Sequence, residues 1–284
     1  MNTIEIITEI NRMQARSDEM RRQGKTIVFV PTMGFLHEGH LSLIREGRKY
    51  GDDLVVSIFV NPSQFGPGED LETYPRDFER DLELLRKEAV DVVFAPDAEE
   101  MYGEHFQTFV ELEKLPKHLC GLSRPVFFKG VATVVTKLFN IVKPHAAIFG
   151  EKDYQQLTVI RQMVRDLNFD INIVGAPTVR ESDGLAMSSR NTYLHSKQRM
   201  SALTLNKSLK KAQELVGNGL KDAAQVIDAA AKRIRSQPDT EIDYIVICDP
   251  KTLDDMKTID RPALMALAVK VGKARLIDNK ILIP

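Results

Sequence analysis

The chain has 284 residues, 43% of them hydrophobic, which is enough for one large or two modest cores, and two domains are expected. Its 39 basic and 40 acidic side chains leave a net charge of −1, so no global field favours nucleic acid or an anionic membrane, and any anion site must be local, as for a small-molecule substrate. Cys120 and Cys248 lie far apart without Cys-x-x-Cys spacing, which suggests neither a disulfide framework nor a zinc site and fits a reducing, cytoplasmic compartment. The stretch Met1–Ile6 carries an early acid and no basic-then-apolar run, and nothing later approaches roughly 18 uncharged apolar residues, so neither secretion nor a membrane span is expected.

In chain order, Thr26-Ile27-Val28-Phe29-Val30 reads as a short, fully buried strand, and Leu41, Leu43, Ile44 and Gly47 continue downstream at helical spacing. Between them runs Pro31-Thr32-Met33-Gly34-Phe35-Leu36-His37-Glu38-Gly39-His40, a glycine-punctuated turn at the carboxyl end of a strand. Open α/β sheets bind ligands there, and the following helix N-terminus offers N–H groups and a positive dipole end to an anion. His37 and His40, three apart, fall on one helix face about 5–6 Å apart at Cβ, within reach of one triphosphate. Read locally, Gly34 and Gly39 suit a simple turn equally well, and either histidine a bond to a nearby carbonyl.

Further strands are expected at 54–60, 90–94, 146–149 and 171–174. Helices fall between them: Arg76–Lys87 after Pro75, with Phe78, Leu82 and Leu85 on one stripe, then Val131–Val142 and Tyr154–Leu167. Such alternation argues for βαβ units and a parallel sheet. A turn-rich loop, Asn61–Gly68, sits at a strand end, where loops are often functional. After about residue 178 the texture changes. A polar linker, Arg180–Ser189, leads to helices at 197–216 and 221–236 and to strands at Ile242–Ile247 and Ala263–Val271. The fold class is therefore α/β, with a parallel-sheet N-terminal domain over 1–178 and a smaller α+β C-terminal domain over 179–284.

Phe149-Gly150-Glu151-Lys152-Asp153-Tyr154-Gln155-Gln156 repeats the first motif's geometry, strand, glycine turn, helix. Asp153 suits an N-cap and Gln156 completes a capping-box pair. Lys152 is different: an ammonium at a helix N-terminus opposes the dipole, and an arriving phosphate or carboxylate explains it. Asp77 and Asp81 are available to Mg²⁺, although acids on a helix face are usually just solvated. No Ser/His/Asp nucleophile arrangement, Walker string or Gly-x-Gly-x-x-Gly run occurs, which argues against acyl-enzyme and P-loop chemistry.

The Pro31–His40 string resembles the His-x-Gly-His signature of the nucleotidyltransferase superfamily and, within it, the pantothenate synthetase (pantoate–β-alanine ligase) family. Gly150-Glu151-Lys152-Asp153, Met187-Ser188-Ser189-Arg190, Ser123-Arg124-Pro125 with Phe128-Lys129-Gly130-Val131, and Ala274–Asn279 match that family too. The resemblance implies a Rossmann-like N-terminal domain, a C-terminal lid, and ATP- and Mg²⁺-dependent condensation of (R)-pantoate with β-alanine through a pantoyl adenylate. It implies ATP contacts from Met33, Gly34, Phe35, Leu36, His37, Glu38, Gly39, His40, Gly150, Glu151, Lys152, Asp153, Val179, Met187, Ser188, Ser189 and Arg190. His37, His40 and Lys152 would be catalytic, His40 as proton donor to a phosphate oxygen. Gln64 and Gln156 would hold pantoate, and Asn61 would line the β-alanine approach. Arg124 would close over the site or form a surface ion pair. The metal ligands are not identified, and a homodimer without nucleic-acid or membrane partners is expected. The rivals are a His-x-Gly-His enzyme transferring AMP to a phosphate acceptor and a nucleotide-binding protein without turnover.

Overall fold

The computed structural model describes residues 4–284, so the first three residues of the N-terminal stretch read above lie outside the described residues. The elements in chain order are β1 (Glu5–Ile7), α1 (Ile10–Arg22), β2 (Ile27–Thr32), α2 (Glu38–Gly47), β3 (Asp53–Ile58), α3 (Phe78–Lys87), β4 (Val92–Phe94), α4 (Ala98–Met101), α5 (Cys120–Ser123) and α6 (Phe127–Val142). There follow β5 (Ala146–Gly150), α7 (Tyr154–Asp166), β6 (Asn172–Ala176), α8 (Ser196–Gly217), α9 (Ala223–Arg235), β7 (Thr240–Cys248), β8 (Ala263–Val271) and β9 (Ala274–Leu282). They form two compact units, Met1–Glu113 with Arg124–Glu151 and Gln156–Pro177, and Lys114–Ser123 with Lys152–Gln155 and Thr178–Pro284.

In the first unit six parallel strands run in the order β1-β4-β3-β2-β5-β6. Both faces are covered, which is why the strands read as continuous apolar runs rather than alternating ones. Along β2, Ile27 and Phe29 enter one core and Val28 and Val30 the other, with Phe29 edge-on to Phe139 of α6 at 6.5 Å. The strand order reverses direction at β2, whose neighbours are β3 and β5. The carboxyl ends of β2 and β5 therefore emerge side by side, at the switch point where such sheets bind ligands.

The sequence pattern does not disclose β1, too short to register, or α1, whose buried line of Met13, Ser17 and Met20 is interrupted by a serine. Helix α3 starts at Phe78 rather than Arg76, because Asp77 is its N-cap and accepts from the Arg80 N–H at 3.2 Å. Phe78 is consequently 38% exposed, and only Leu82 and Leu85 of the expected stripe are buried.

In the second unit β7, β8 and β9 form an antiparallel sheet with β8 in the middle, which makes β8 an almost unbroken buried run. Its core is shared with α8 and α9. Strand β9 is not among the strands expected from sequence, since Arg275, Asp278 and Lys280 give it a charged look; a two-residue Gly272-Lys273 hairpin joins it to β8. Among the described residues no helix is long and apolar enough to cross a membrane.

Candidate active site

The turn after β2 is shaped by left-handed backbone at Gly34 (φ 78°) and, less usually, at Phe35 (φ 48°). A side chain at Gly34 would in addition press within 3.0 Å of Ile58 and 3.1 Å of Asp81. The backbone N–H groups this conformation turns inward donate to one carboxylate: Phe35 to Asp81 Oδ2 and Leu36 to Asp81 Oδ1, both at 2.7 Å. Thr32 Oγ1 donates to the Ser57 carbonyl at 2.7 Å and accepts from the Gly34 N–H at 3.2 Å. Leu36 is fully buried and anchors the turn in the core. Asp81, 1% exposed, is thus a builder of the turn and not the solvated or Mg²⁺-facing acid its helix position suggests. Burial raises its pKa above the usual carboxylate range despite the opposing pull of the Leu36 and Phe35 N–H groups.

The two histidines meet as a capping box rather than as residues on one helical face. His37 is the N-cap of α2, its Nδ1 accepting from the Gly39 N–H at 3.1 Å, and His40 Nδ1 accepts from the His37 N–H at 3.3 Å. Their rings stack at 4.1 Å and 27°. An imidazole whose Nδ1 accepts carries its proton on Nε2, so the cap selects the neutral tautomer that donates through Nε2. Protonating either ring at Nδ1 would set two donors against each other and open the cap. Glu38 is exposed and paired with Arg45.

Gln64 lies in the short 3-10 turn Pro62–Gln64 and is buried. Its Oε1 accepts from Asn61 Nδ2 at 2.9 Å, and the same Nδ2 donates to the Gly130 carbonyl at 3.2 Å. Asn61 Oδ1 accepts from the Tyr102 hydroxyl at 2.7 Å, Ser63 Oγ at 2.9 Å and the Ser63 N–H at 3.2 Å. Asn61 is 1% exposed with both ends of its amide engaged, and its side chain holds the Gln64 amide oxygen. With its oxygen held, Gln64 has its NH₂ as the group to offer a ligand. Gly130 permits this packing, since a Cβ there would lie 2.2 Å from the Ser63 carbonyl oxygen. Arg124 grips the same loop, donating to Glu69 Oε1 at 2.7 Å and to the Gln64 carbonyl at 3.1 Å, with its guanidinium 3.9 Å over the Phe127 ring.

Beyond Gly150, the end of β5, a 3-10 turn Glu151–Asp153 leads into α7, whose first turn carries Gln156, partly buried. Lys152, 20% exposed at its side chain, lies 3.8 Å from Asp153, and its carbonyl accepts from Asn279 Nδ2 at 2.9 Å. Gln155 is buried, its Oε1 accepting from the Cys120 N–H at 2.9 Å and its Nε2 donating to the Leu115 and His118 carbonyls at 3.0 and 2.7 Å. The supposed linker is an ordered hairpin. Arg180 pairs with Ala186, and the Met187 N–H donates to the Val179 carbonyl at 3.0 Å, which brings Val179 and Met187 together. Ser188 caps the following 3-10 turn Ser189–Tyr193, its Oγ accepting from the Arg190 N–H at 3.3 Å. Among the described residues no three His, Cys, Asp or Glu side chains converge as a metal site.

Sequence reasoning misses Asp81, Tyr102, Gln155 and Asn279 as builders of these segments. Their partners lie tens of residues away in the sequence.

The family model described as Pantoate-beta-alanine ligase matches residues 5–281. Over 281 residues the chain is 63% identical to a pantothenate synthetase of Desulfatibacillum aliphaticivorans, covering 99% of this chain and 100% of the relative. It is 57% identical to that of Thermotoga petrophila, covering 98% and 100%. Among solved structures, a pantothenate synthetase of Thermus thermophilus superposes with a TM-score of 0.93 at 44% identity, covering 99% of this chain and 100% of that one. A Francisella tularensis pantoate-beta-alanine ligase described as complexed with beta-gamma ATP and beta-alanine superposes at 0.83 with 34% identity, covering 98% of each chain.

Proposed function

The chain belongs to the pantoate–β-alanine ligase family, and from that premise we propose which of its residues carry the reaction. It is an ATP-dependent ligase that joins pantoate to β-alanine and forms pantothenate. The pantoate carboxylate attacks the α-phosphate of ATP and expels pyrophosphate. The β-alanine amine then attacks the acyl carbon of pantoyl adenylate, the amide bond forms, and AMP leaves with the electron pair of the broken acyl–oxygen bond.

The observation that carries the residue assignment is the His37–His40 cap at the switch point of the sheet. ATP phosphates would take the N-terminus of α2 beside Met33, Gly34, Phe35, Leu36, Glu38 and Gly39. The N–H groups of Gly34, Phe35, Leu36 and Gly39 are already given to Thr32, Asp81 and His37, so these residues would shape the site and the imidazoles would donate into it. The sequence alone makes His40 a proton donor. The cap supports a different role, two neutral Nε2–H donors that stabilise charge developing on the phosphates. Gly150, Glu151, Lys152 and Asp153 would form a second phosphate and ribose contact, and Ser188, Ser189 and Arg190 a third, with Val179 and Met187 beside the adenine. Gln64 and Gln156 would hold pantoate, because amides donate and accept without placing a charge against a carboxylate that must act as nucleophile.

Mg²⁺ would enter as part of its complex with ATP. Asp81, whose carboxylate takes the Phe35 and Leu36 N–H groups, is not offered to it. Bound there the ion would neutralise phosphate charge.

Residues 179–284 would act as a lid over a nucleotide-binding domain of residues 1–178, keeping water from the adenylate. A homodimer through the Phe106–Val110 segment, where Phe109 is 48% exposed, and a cytoplasmic location complete the reading. AMP release measured with ATP and pantoate, with and without β-alanine, tests it. Sustained turnover should require the amine, whereas AMP transfer to a phosphate acceptor without any amine would contradict it.

A further inference from the structure

The Ala274–Asn279 stretch has no task in the reaction, yet two of its residues bond to the Lys152 turn and to Arg180 in the hairpin that precedes Met187–Arg190. On β9, Asp278 is 3% exposed and accepts from both terminal nitrogens of Arg180, Nη1 to Oδ2 at 2.7 Å and Nη2 to Oδ1 at 2.9 Å. Arg180 Nη1 also donates to the Gly184 carbonyl at 3.2 Å, so the ion pair fixes the hairpin that leads to Met187-Ser188-Ser189-Arg190. The next residue, Asn279, donates its backbone N–H to Asp278 Oδ1 at 2.8 Å and its Nδ2 to the Lys152 carbonyl at 2.9 Å. Planar, two-point guanidinium–carboxylate pairing gives geometric specificity as well as energy, and a buried carboxylate with several donors has little freedom to shift.

We propose that Asp278 and Asn279 form a two-sided clamp that holds the Lys152 turn and the root of the Val179–Met187 hairpin in one frame, making Asn279 a positioning residue for the Lys152 ammonium. A bond to the carbonyl fixes the peptide plane from which the Lys152 side chain departs, and small misplacements of a charge-stabilising group are costly in rate. The division of contacts agrees: Lys152–Gln155 groups with residues 178–284 although β5 and most of α7 belong to the first unit.

The inference rests on Lys152 being a phosphate contact, and a double-mutant cycle separates the two claims. Asn279→Ala, Lys152→Ala and the double variant are compared in pyrophosphate–ATP exchange with pantoate, with thermal midpoints recorded alongside. Asn279→Ala should lower the exchange kcat by ~10-fold with little change in ATP KM, and should cost less than about twofold more when Lys152 is already alanine. Asn279→Asp, equal in size but presenting an acceptor to the carbonyl, should lose at least as much as alanine. Additive losses, full activity of Asn279→Ala, or full activity of Asn279→Asp would overturn the clamp. Full activity of Lys152→Ala would instead overturn the phosphate reading on which it rests.

Discussion

The turn after β2 is held within the first unit: Asp81 takes the Phe35 and Leu36 N–H groups, Thr32 takes that of Gly34, and two histidines cap the helix that follows. The Lys152 turn that follows β5 is held within the second unit, through Asn279 on the Lys152 carbonyl and Gln155 on the 115–120 segment. Two strand ends that look alike in sequence are thus fixed by different means. The first is a turn whose backbone N–H groups are spent on its own side chains. The second is an ammonium whose place depends on a group more than a hundred residues away.

Substitutions at the two turns should therefore fail differently. The largest effect belongs to His40→Ala, which removes an Nε2–H donor and half of the cap; turnover should drop by ~10²–10⁴ with ATP KM changed little, as expected of a group acting on the transition state. A loss confined to KM would make His40 a binding residue.

Asp81→Ala should destabilise the first unit by about 2–4 kcal/mol, since one buried and one part-buried N–H group lose their carboxylate acceptor, and thermal or denaturant melts would read it. A melt unchanged from wild type would remove Asp81 as the builder of the turn. Asp81→Asn should fall between, because an amide offers only one acceptor to the two donors.

The turn after β2 is only partly legible in the sequence. Gly34, the histidines and the strand before them form a contiguous signal, and the parallel sheet follows from the recurrence of apolar runs. Asp81 is not legible, because an acid on a charged helix reads as solvated and only the fold brings it to Phe35. The same reason hides Tyr102 and the bond by which Asn61 holds Gln64. β9 escapes notice because the charges along it, Arg275 and the clamp's Asp278 among them, mask its alternation.

A smaller effect is expected from Tyr102→Phe. It removes the donor to Asn61 Oδ1 while leaving the ring against Phe106, so pantoate KM should rise ~3–10-fold with kcat nearly unchanged. An unchanged pantoate KM would mean Gln64 is oriented without Tyr102.

The smallest effect concerns the strand roots beneath the first turn, where His145 Nδ1 accepts from the Ile27 N–H at 2.9 Å. Burial, aided by the charge of Arg21, lowers the His145 pKa from 6.5 in the folded protein. The unfolded chain then binds the proton more readily, so this histidine's contribution to stability is present above about pH 6.5 and is lost as pH falls below it. His145→Gln should flatten the dependence of the thermal midpoint on pH between about 5 and 7. An undiminished slope would assign it to other groups.

Pyrophosphate–ATP exchange with pantoate and Mg²⁺ alone tests the central claim most directly, that this chain activates a carboxylate on ATP before any amine acts. Labelled pyrophosphate should enter ATP without β-alanine at a rate comparable to overall turnover. A strict requirement for β-alanine would contradict the stepwise account.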